Sequence, residues 1–457
     1  MRTVPPVLLT SLLLVIAPEP ANAAPGDIDA SFDPGFIDNA VLGLMPQNDG
    51  KLIIAGAFTS VQGNARGGIA RLNTNGSLDT SFMNGLAGAN NFVWTVALQT
   101  DGKIVIGGFF NTINGTSRNC VARLNSNGSL DNTFLNGLSG ANGAVYCVAA
   151  QPDGKILIAG NFTSVNQTPR NYIARLNGDG SVDSTFLSNL DGGDAAVFCI
   201  RLQGDGKILA GGWFTLMNDT PRNHIARLNS DGSLDSSFLN NLAGADGRVW
   251  AMAFQADRKI LIGGDFLSVN GTLQNHIARL NTNGSLDSFV ASAGASDSVW
   301  ALAVQGDGRI LAGGQFTSVL GIPLSSLARL NANGQLDGGF LDGLSGPNGT
   351  VRGIALQSDG KTLIGGQFTM VNGTPRAYVA RLWGSAGAPL LAASRITNGQ
   401  FSFTFGGEPG RTVIIQASSD MKNWSPIATN VLTSSLMTFS DPQSSGLGRR
   451  YYRLFEP

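Results

Sequence analysis

Asp-Gly-Lys, or a one-letter variant of it, recurs seven times along this 457-residue chain, at Asp49, Asp101, Asp153, Asp205, Asp257, Asp307 and Asp359. Successive copies are 52 residues apart, except that Asp257 and Asp307 are separated by 50. Around each copy the same frame returns. Gln stands two residues before the Asp, a Gly-x-Phe ends at Phe58, Phe110, Phe162, Phe214, Phe266, Phe316 or Phe368, and an Ala-Arg-Leu is centred on Arg71, Arg123, Arg175, Arg227, Arg279, Arg329 or Arg381. A unit of this length is one supersecondary element that buries its apolar face only by packing on its own copies, so the chain must stack or close into a ring.

In the third copy, residues 145–151 and 155–162 are short runs rich in β-branched residues, joined by Asp153-Gly154. They read as a hairpin with a two-residue type I′ turn. Residues 171–177 supply a third strand, and Asp179-Gly180 turns the chain into a fourth over 181–186. No segment sustains a 3.6-residue period or offers a helix start. The predicted fold class is all-β: a seven-bladed β-propeller of four-stranded antiparallel blades. A β-helix would need shorter, parallel rungs without hairpin turns.

The phase of the array predicts how the ring closes. Gly26-Asp27-Ile28-Asp29-Ala30-Ser31-Phe32 matches the fourth-strand segment Gly76-Ser77-Leu78-Asp79-Thr80-Ser81-Phe82, whereas the last repeat stops after its third strand at Arg381-Leu382-Trp383. The segment around Ile28 should therefore complete the last blade and remove an exposed edge.

The frame Gln-x-Asp-Gly-Lys-Ile-Leu-Ile-Gly-Gly-x-Phe-Thr, followed by Ala-Arg-Leu-Asn-x-x-Gly-Ser-Leu-Asp-x-Ser-Phe, resembles the bacterial delta-60 repeat, a β-propeller repeat family of unknown function, over residues 26–383. The resemblance implies a fold and not a reaction. Residues 389–457 differ in composition: 401–405 alternate like a strand, 412–418 follow a Pro-Gly turn, and Arg449-Arg450-Tyr451-Tyr452-Arg453-Leu454 lies near the end. A small β-sandwich-like domain is predicted there. Gln416-Ala417-Ser418-Ser419-Asp420-Met421-Lys422-Asn423-Trp424, with the late Tyr-Tyr-Arg, is similar to small C-terminal domains of exported proteins of environmental bacteria, which implies an accessory module.

Arg2, an apolar run over residues 7–17 and Ala21-Asn22-Ala23 have the order of a signal peptide and its cleavage site. The expected organisation is a signal segment at 1–23, the propeller at 24–383, a linker at 384–388 and the small domain at 389–457. The product should be secreted, extracellular or periplasmic. No later run is long enough to span a bilayer. Charged residues make up 13% of the chain and the formal net charge is −1, which leaves no basic field for nucleic acid. Cys120, Cys147 and Cys199 are an odd number, and the last two occupy one repeat position filled elsewhere by Gly, Thr or Ala. Small buried thiols are expected before a bridge between repeats.

Strand polarity sorts the loops onto two faces. The Asp-Gly turns share one, while the loop between second and third strands and the repeat-to-repeat loop share the other, called here the near face. Those loops are longer, so a ligand is expected there. The residue between Gly and Phe at the end of each second strand is Ala57, Phe109, Asn161, Trp213, Asp265, Gln315 and Gln367. The second residue of each first strand is Leu42, Trp94, Tyr146, Phe198, Trp250, Trp300 and Arg352. Aromatics beside Asn, Asp and Gln suit a glycan or peptide, although the first-strand set reads first as wedges packed between blades, and the second-strand set as binding or plain surface variation alike. The candidate ligand-binding residues are Phe109, Asn161, Trp213, Asp265, Gln315, Gln367, Arg170 and Arg222, the two arginines lying in second-to-third loops.

The Arg of Ala-Arg-Leu recurs with an Asp eight residues later, which predicts a structural ion pair within each blade. Asn229-Ser230-Asp231-Gly232-Ser233-Leu234-Asp235 resembles part of a calcium loop, but that register puts Arg227 at the first ligand position. No metal or other cofactor is expected. Asp38, Asp191, Asp194, Asp246, Asp297 and Asp342 could form a carboxylate pair for glycosidase-like or lyase chemistry. The leading expectation is a monomeric, non-enzymatic binding or scaffold protein for a glycan or protein ligand, the alternative a hydrolase or lyase acting on a polysaccharide.

Overall fold

The computed structural model describes residues 23–289, 294–384, 390–397, 400–406, 412–418, 423–431, 436–441 and 451–455. Residues 1–22 of the expected signal segment and 385–388 of the expected linker lie outside the described residues. The chain divides into two compact units, one of which is Gly26–Leu382.

That unit is a ring of seven blades. In the first blade the strands are Val41–Pro46, Leu52–Gly56 and Ile69–Leu72, hydrogen-bonded in that order and antiparallel. The fourth strand is present in its shortest form, a single antiparallel bridge such as Leu72 to Leu78. Its outer edge is covered instead by a small hairpin of Ser60–Val61 with Asn64–Ala65. The hairpin tip folds down the outside of the blade: the Gln62 side chain accepts from Leu78 N at 3.0 Å and donates to Gly76 O at 3.0 Å.

The first strands pack side by side around the axis, and the core lies between blades. Ile53 and Ala55 of the first blade share one apolar cluster with Val93, Ile104 and Phe110 of the second. Phe58, Phe82, Phe110, Phe134, Phe162 and Phe186 are all essentially without solvent contact. Burial of each such side chain stabilises by about 1.5–3 kcal/mol, which is why Gly-x-Phe and the Phe ending the fourth-strand segment recur in every copy.

The tight turns correct one expectation. Gln47 N donates to Lys51 O and Gly50 N to Gln47 O, so the loop holds three residues, and of Asp49 and Gly50 only the glycine has positive φ (80°). This is a turn followed by a left-handed residue, not the two-residue type I′ form. Asp49 Oδ1 accepts from Lys51 N instead. Type I′ geometry occurs in the outer hairpins, where Asn114 and Gly115 have φ of 50° and 76° and Asn270 and Gly271 of 50° and 75°.

The repeated Arg and Asp pair as the sequence predicts. Arg123 Nε lies 2.7 Å from Asp131 Oδ2, and Lys103 of the Asp-Gly-Lys turn joins the same oxygen at 2.9 Å. The guanidinium also donates to Gly178 O in the next blade and sits 4.8 Å over the Phe134 ring. One side chain thus ties two strands, one core aromatic and the neighbouring blade. Burial alone would raise the Asp131 carboxyl, but hydrogen bonds from Thr133, Lys103 and Arg123 outweigh it and hold its pKa far below the usual carboxylate range.

Ring closure uses the same set with its parts drawn from both ends of the repeat array. Ile28 bridges Leu382, Asp29 N donates to Arg381 O at 2.8 Å, and Asp29 Oδ2 meets Arg381 Nε at 2.6 Å and Lys361 Nζ at 3.1 Å. Arg381 lies 4.8 Å over Phe32, as its counterparts lie over theirs. The predicted N-terminal closure is therefore present in full.

In the C-terminal region, Leu390–Thr397, Gln400–Gly406 and Leu436–Ser440 form one sheet, and Ser425–Val431, Thr412–Ser418 and Tyr451–Phe455 another. Phe403 of the first and Val413, Ile415, Ala417 and Tyr452 of the second share one core, a small sandwich. Tyr452 buries its hydroxyl by donating to Asp441 Oδ2 at 2.7 Å. Among the described residues no helix is long and apolar enough to cross a membrane.

Candidate functional site

Every first strand carries a β-bulge at its near-face end. Val41 pairs with Gly56 and Gly43 with Ala55, which leaves Leu42 as the extra residue; Trp94, Tyr146, Phe198, Trp250, Trp300 and Arg352 are the bulged residues of the other blades. A bulge bends the strand and re-aims its side chain. Glycine is required opposite it: a Cβ on Gly108 would collide with Phe92 O, and one on Gly264 with Arg248 O. The second Gly of the Ile-Gly-Gly-x-Phe frame is thus the device that turns one side chain per blade toward the axis.

Those seven side chains form a collar at the near mouth of the central channel. Ring centroids are 4.8 Å apart for Trp94 and Tyr146, 5.6 Å for Tyr146 and Phe198, 3.9 Å for Phe198 and Trp250, and 4.4 Å for Trp250 and Trp300. The guanidinium of Arg352 continues the stack 3.6 Å over Trp300. The collar members are half-buried, so they are both packing wedges and the wall of an opening. Each close aromatic pair adds about 0.5–1.5 kcal/mol beyond its buried area.

Outside the collar lies a rim made of two positions per blade, bound backbone to backbone. Phe109 N donates to Phe92 O, Trp213 N to Ala196 O, and Asp265 N to Arg248 O, at 2.8–2.9 Å. This rim is where the blades differ most. In the second blade Phe109 is 54% exposed and stacks with Trp94 at 6.4 Å, with Phe92 beside it. Trp213 is 53% exposed, and Arg248 of the next blade lies 4.1 Å over its ring. Arg248 Nη1 is 3.6 Å from Asp265 Oδ2, and Asp265 Oδ1 accepts from Trp250 Nε1 at 2.7 Å. Four residues from blades four and five are thereby locked into one surface.

The candidate residues fall into two groups. Phe109, Asn161, Trp213, Asp265, Gln315 and Gln367 all occupy the rim. Arg170 and Arg222 do not reach it; each donates from Nη1 to the preceding proline carbonyl, Pro169 O at 2.8 Å and Pro221 O at 2.7 Å, beside the outer hairpin. The second-to-third loops fold outward and down rather than over the axis, so their length does not mark the site. Arg248 and Phe92 were missed because they precede the strand by one residue, although that position, filled by Ala40, Phe92, Ala144, Ala196, Arg248, Ser298 and Thr350, varies as widely as the one beside it.

Three of the near-face acids serve the loops. Asp38 Oδ1 accepts from Thr59 N and Ser60 N, and Asp194 and Asp246 do the same for the hairpins of their blades, where other blades use Asn90, Asn142 and Asn348. Burial would raise these carboxyls, but the amide donors outweigh it and lower their pKa. Acceptors held ionised in this way are poor proton donors. Cys120, Cys147 and Cys199 are buried free thiols; burial pushes Cys120 up to about 11 and Cys199 up to about 12, which leaves neither reactive. Asp231 Oδ1 is taken by Ser233 N and Oγ, so the calcium-like segment is an ordinary side-chain-capped turn.

Residues 47–82, 99–134, 151–186, 203–238, 255–289, 305–340 and 357–385 match a family described as a domain of unknown function (DUF5122) beta-propeller. The chain belongs to that family. Residues 132–168 also match the WD domain, G-beta repeat. No curated protein matches in sequence. Among solved structures, YCF48 from Cyanidioschyzon merolae is 12% identical with a TM-score of 0.41, over 76% of this chain and 96% of its own. Sqt1 of Saccharomyces cerevisiae is 9% identical with a TM-score of 0.38, over 81% and 95%. A puromycin-hydrolyzing peptidase of Mycobacterium tuberculosis is 13% identical with a TM-score of 0.40, over 86% and 62%. Likeness at this level adds nothing to what the blades of this DUF5122 propeller display themselves.

Proposed function

We propose that this DUF5122 propeller is an exported, non-enzymatic binding protein whose near mouth takes a glycan or protein ligand. The observation that carries the reading is the rim around Trp213: a large, half-exposed aromatic face fixed by Arg248, beside Asp265 and a stacked aromatic collar. Exposed aromatic area on a rigid backbone, with a few fixed polar groups, is what a binding surface needs. The engagement of Asp38, Asp194 and Asp246 as loop caps supports binding over loop-carboxylate catalysis. The repeats are read as the delta-60 kind, the first 23 residues as an export signal, and the C-terminal sandwich as an accessory module.

A glycan-array and peptide-library screen on the mature protein tests this, repeated with Trp213→Ala and Asp265→Ala. Both substitutions should weaken the captured ligand. Binding untouched by either would remove the rim from consideration.

A further inference from the structure

Arg352 is the one charged member of the collar. The other six bulge positions carry Leu42, Trp94, Tyr146, Phe198, Trp250 and Trp300, so neither the bulge nor the ring requires a cation there. The arginines of the blade frame, Arg71 and its counterparts, recur in all seven blades and each has a carboxylate partner. Arg352 is unlike them on both counts. Its Nε is buried without an acceptor, and among the described residues neither terminal nitrogen has a protein acceptor.

The charge is nevertheless held in place. Stacking at 3.6 Å on Trp300 fixes the guanidinium plane, and partial burial lowers its pKa, offset in part by the field of Asp265. Asp265 cannot serve it as a counter-ion, being already committed to Trp250 Nε1 and Arg248. Trp300 Nε1 beside it is also a buried donor without an acceptor. Buried Nε atoms without an acceptor also occur at Arg66, Arg118, Arg170, Arg222 and Arg376, but each of those gives Nη1 to the preceding backbone carbonyl. At Arg352 a half-desolvated cation and a neighbouring donor are left open together, which is costly. An incoming anion with two oxygens would offset that cost, since the guanidinium fork matches a carboxylate bidentately. A second cation, Arg248, stands on the rim of the same mouth, paired there with Asp265.

We propose that Arg352 is a carboxylate subsite, and that the ligand of the near mouth is an acidic polysaccharide built of uronate residues. The aromatic faces argue for a sugar over a peptide. Trp213 and Phe109 present flat exposed rings on a shallow rim, suited to pyranose faces stacking on them, with the carboxylate of a neighbouring unit reaching Arg352. The inference rests on the binding reading above and adds the ligand's charge and class.

Calorimetric titration of the mature protein with a hexasaccharide of 1,4-linked galacturonate, with its carboxyl-reduced galactose counterpart, and with a six-residue acidic peptide tests it. The expected result is binding of the uronate alone. Arg352→Leu, which installs the side chain of the first blade, should weaken it about tenfold to a hundredfold, with Arg352→Lys intermediate. Unchanged thermal melts of both variants would show that the collar is intact. Equal binding of the reduced hexasaccharide, unchanged by Arg352→Leu but lost in Trp213→Ala, would overturn the carboxylate subsite and leave the binding mouth standing. Binding of the peptide alone would overturn the glycan assignment, and binding of none of the three would overturn the proposal.

Discussion

The last blade holds two arginines that meet opposite fates. Arg381 gives Nε to Asp29, Nη1 to Thr74 O and Nη2 to Ser31 Oγ, and rests on Phe32. Arg352, on the first strand of the same blade, rests on Trp300 with no carboxylate in contact among the described residues. The first arrangement has a counterpart in every blade and leaves almost nothing for another molecule to contact. The second occurs once and leaves its donors open. Within a repeat protein, the copies are an internal control: what is constant and saturated holds the ring, and what varies at a fixed backbone position is available for recognition.

Breaking the saturated side should have the largest effects. Removing residues 26–32 takes away the bridge, the carboxylate and the Phe32 platform together, and should open the ring and lower the melting temperature more than any single substitution; a melt that did not move would end the closure argument. Asp131→Ala leaves the buried Arg123 and its partner Lys103 facing no anion, at a cost of about 3–5 kcal/mol in chemical denaturation. Asp265→Ala, its counterpart on the exposed rim, should cost no more than about 1 kcal/mol. Equal losses at the two sites would dissolve the distinction.

Acid sharpens the same contrast. Asp29, Asp79, Asp131, Asp183, Asp235 and Asp287 all have carboxyl pKa values lowered by folding, because the hydrogen bonds of the frame outweigh burial. A lowered carboxyl stabilises the fold fully above its unfolded value near 3.9, and that contribution is lost as pH falls toward the lower folded value. Stability followed by tryptophan fluorescence should fall steeply and cooperatively as pH drops below about 4, because all six groups belong to one closed frame, after a smaller loss that starts near pH 6.5 from His224, whose pKa burial lowers.

Trp213→Ala on the rim should cost no more than about 1 kcal/mol, the loss of its exposed contact with Arg248, while weakening ligand capture. The smallest expected change has the opposite sign. Ser326 is held at φ 60° where the first blade has Gly68 at 65°. Ser326→Gly relieves a left-handed strain of about 1–2 kcal/mol but loosens the unfolded chain by about 0.4–1 kcal/mol, so a gain of about 0.5 kcal/mol is expected.

The architecture was legible because the repeat fixed blade number, strand direction and the place of the Ile28 segment before any side chain was considered. Details that depend on backbone sign were less so. Asp49-Gly50 suggests a type I′ turn, yet the Asp side chain caps Lys51 N and needs only one positive φ. The true type I′ turns, one in the outer hairpin of each blade as at Asn114-Gly115, Asn270-Gly271 and Asn372-Gly373, lie inside what reads as a loop. The candidate residues at the second-strand ends were visible as variation at a fixed position. Their connection to Arg248 was not, since nothing in a sequence shows that the residue before one blade's first strand stacks on the rim residue of the blade before it.

The bridge between Ile28 and Leu382 sets a constraint on time as well as on form. Its partners are more than 350 positions apart, as are Asp29 and Arg381 at 352 positions, so six blades can assemble from contacts within or between neighbours while the seventh must wait for the far end of the array. Loop-closure entropy for that last contact is met only when everything between is already ordered. Until then the first segment has no strand to join and the seventh sheet keeps an unpaired edge, the kind of surface that recruits other chains. Folding yield should therefore be governed by the rate of this final docking, and a chain interrupted anywhere before Leu382 stays an open, adhesive arc.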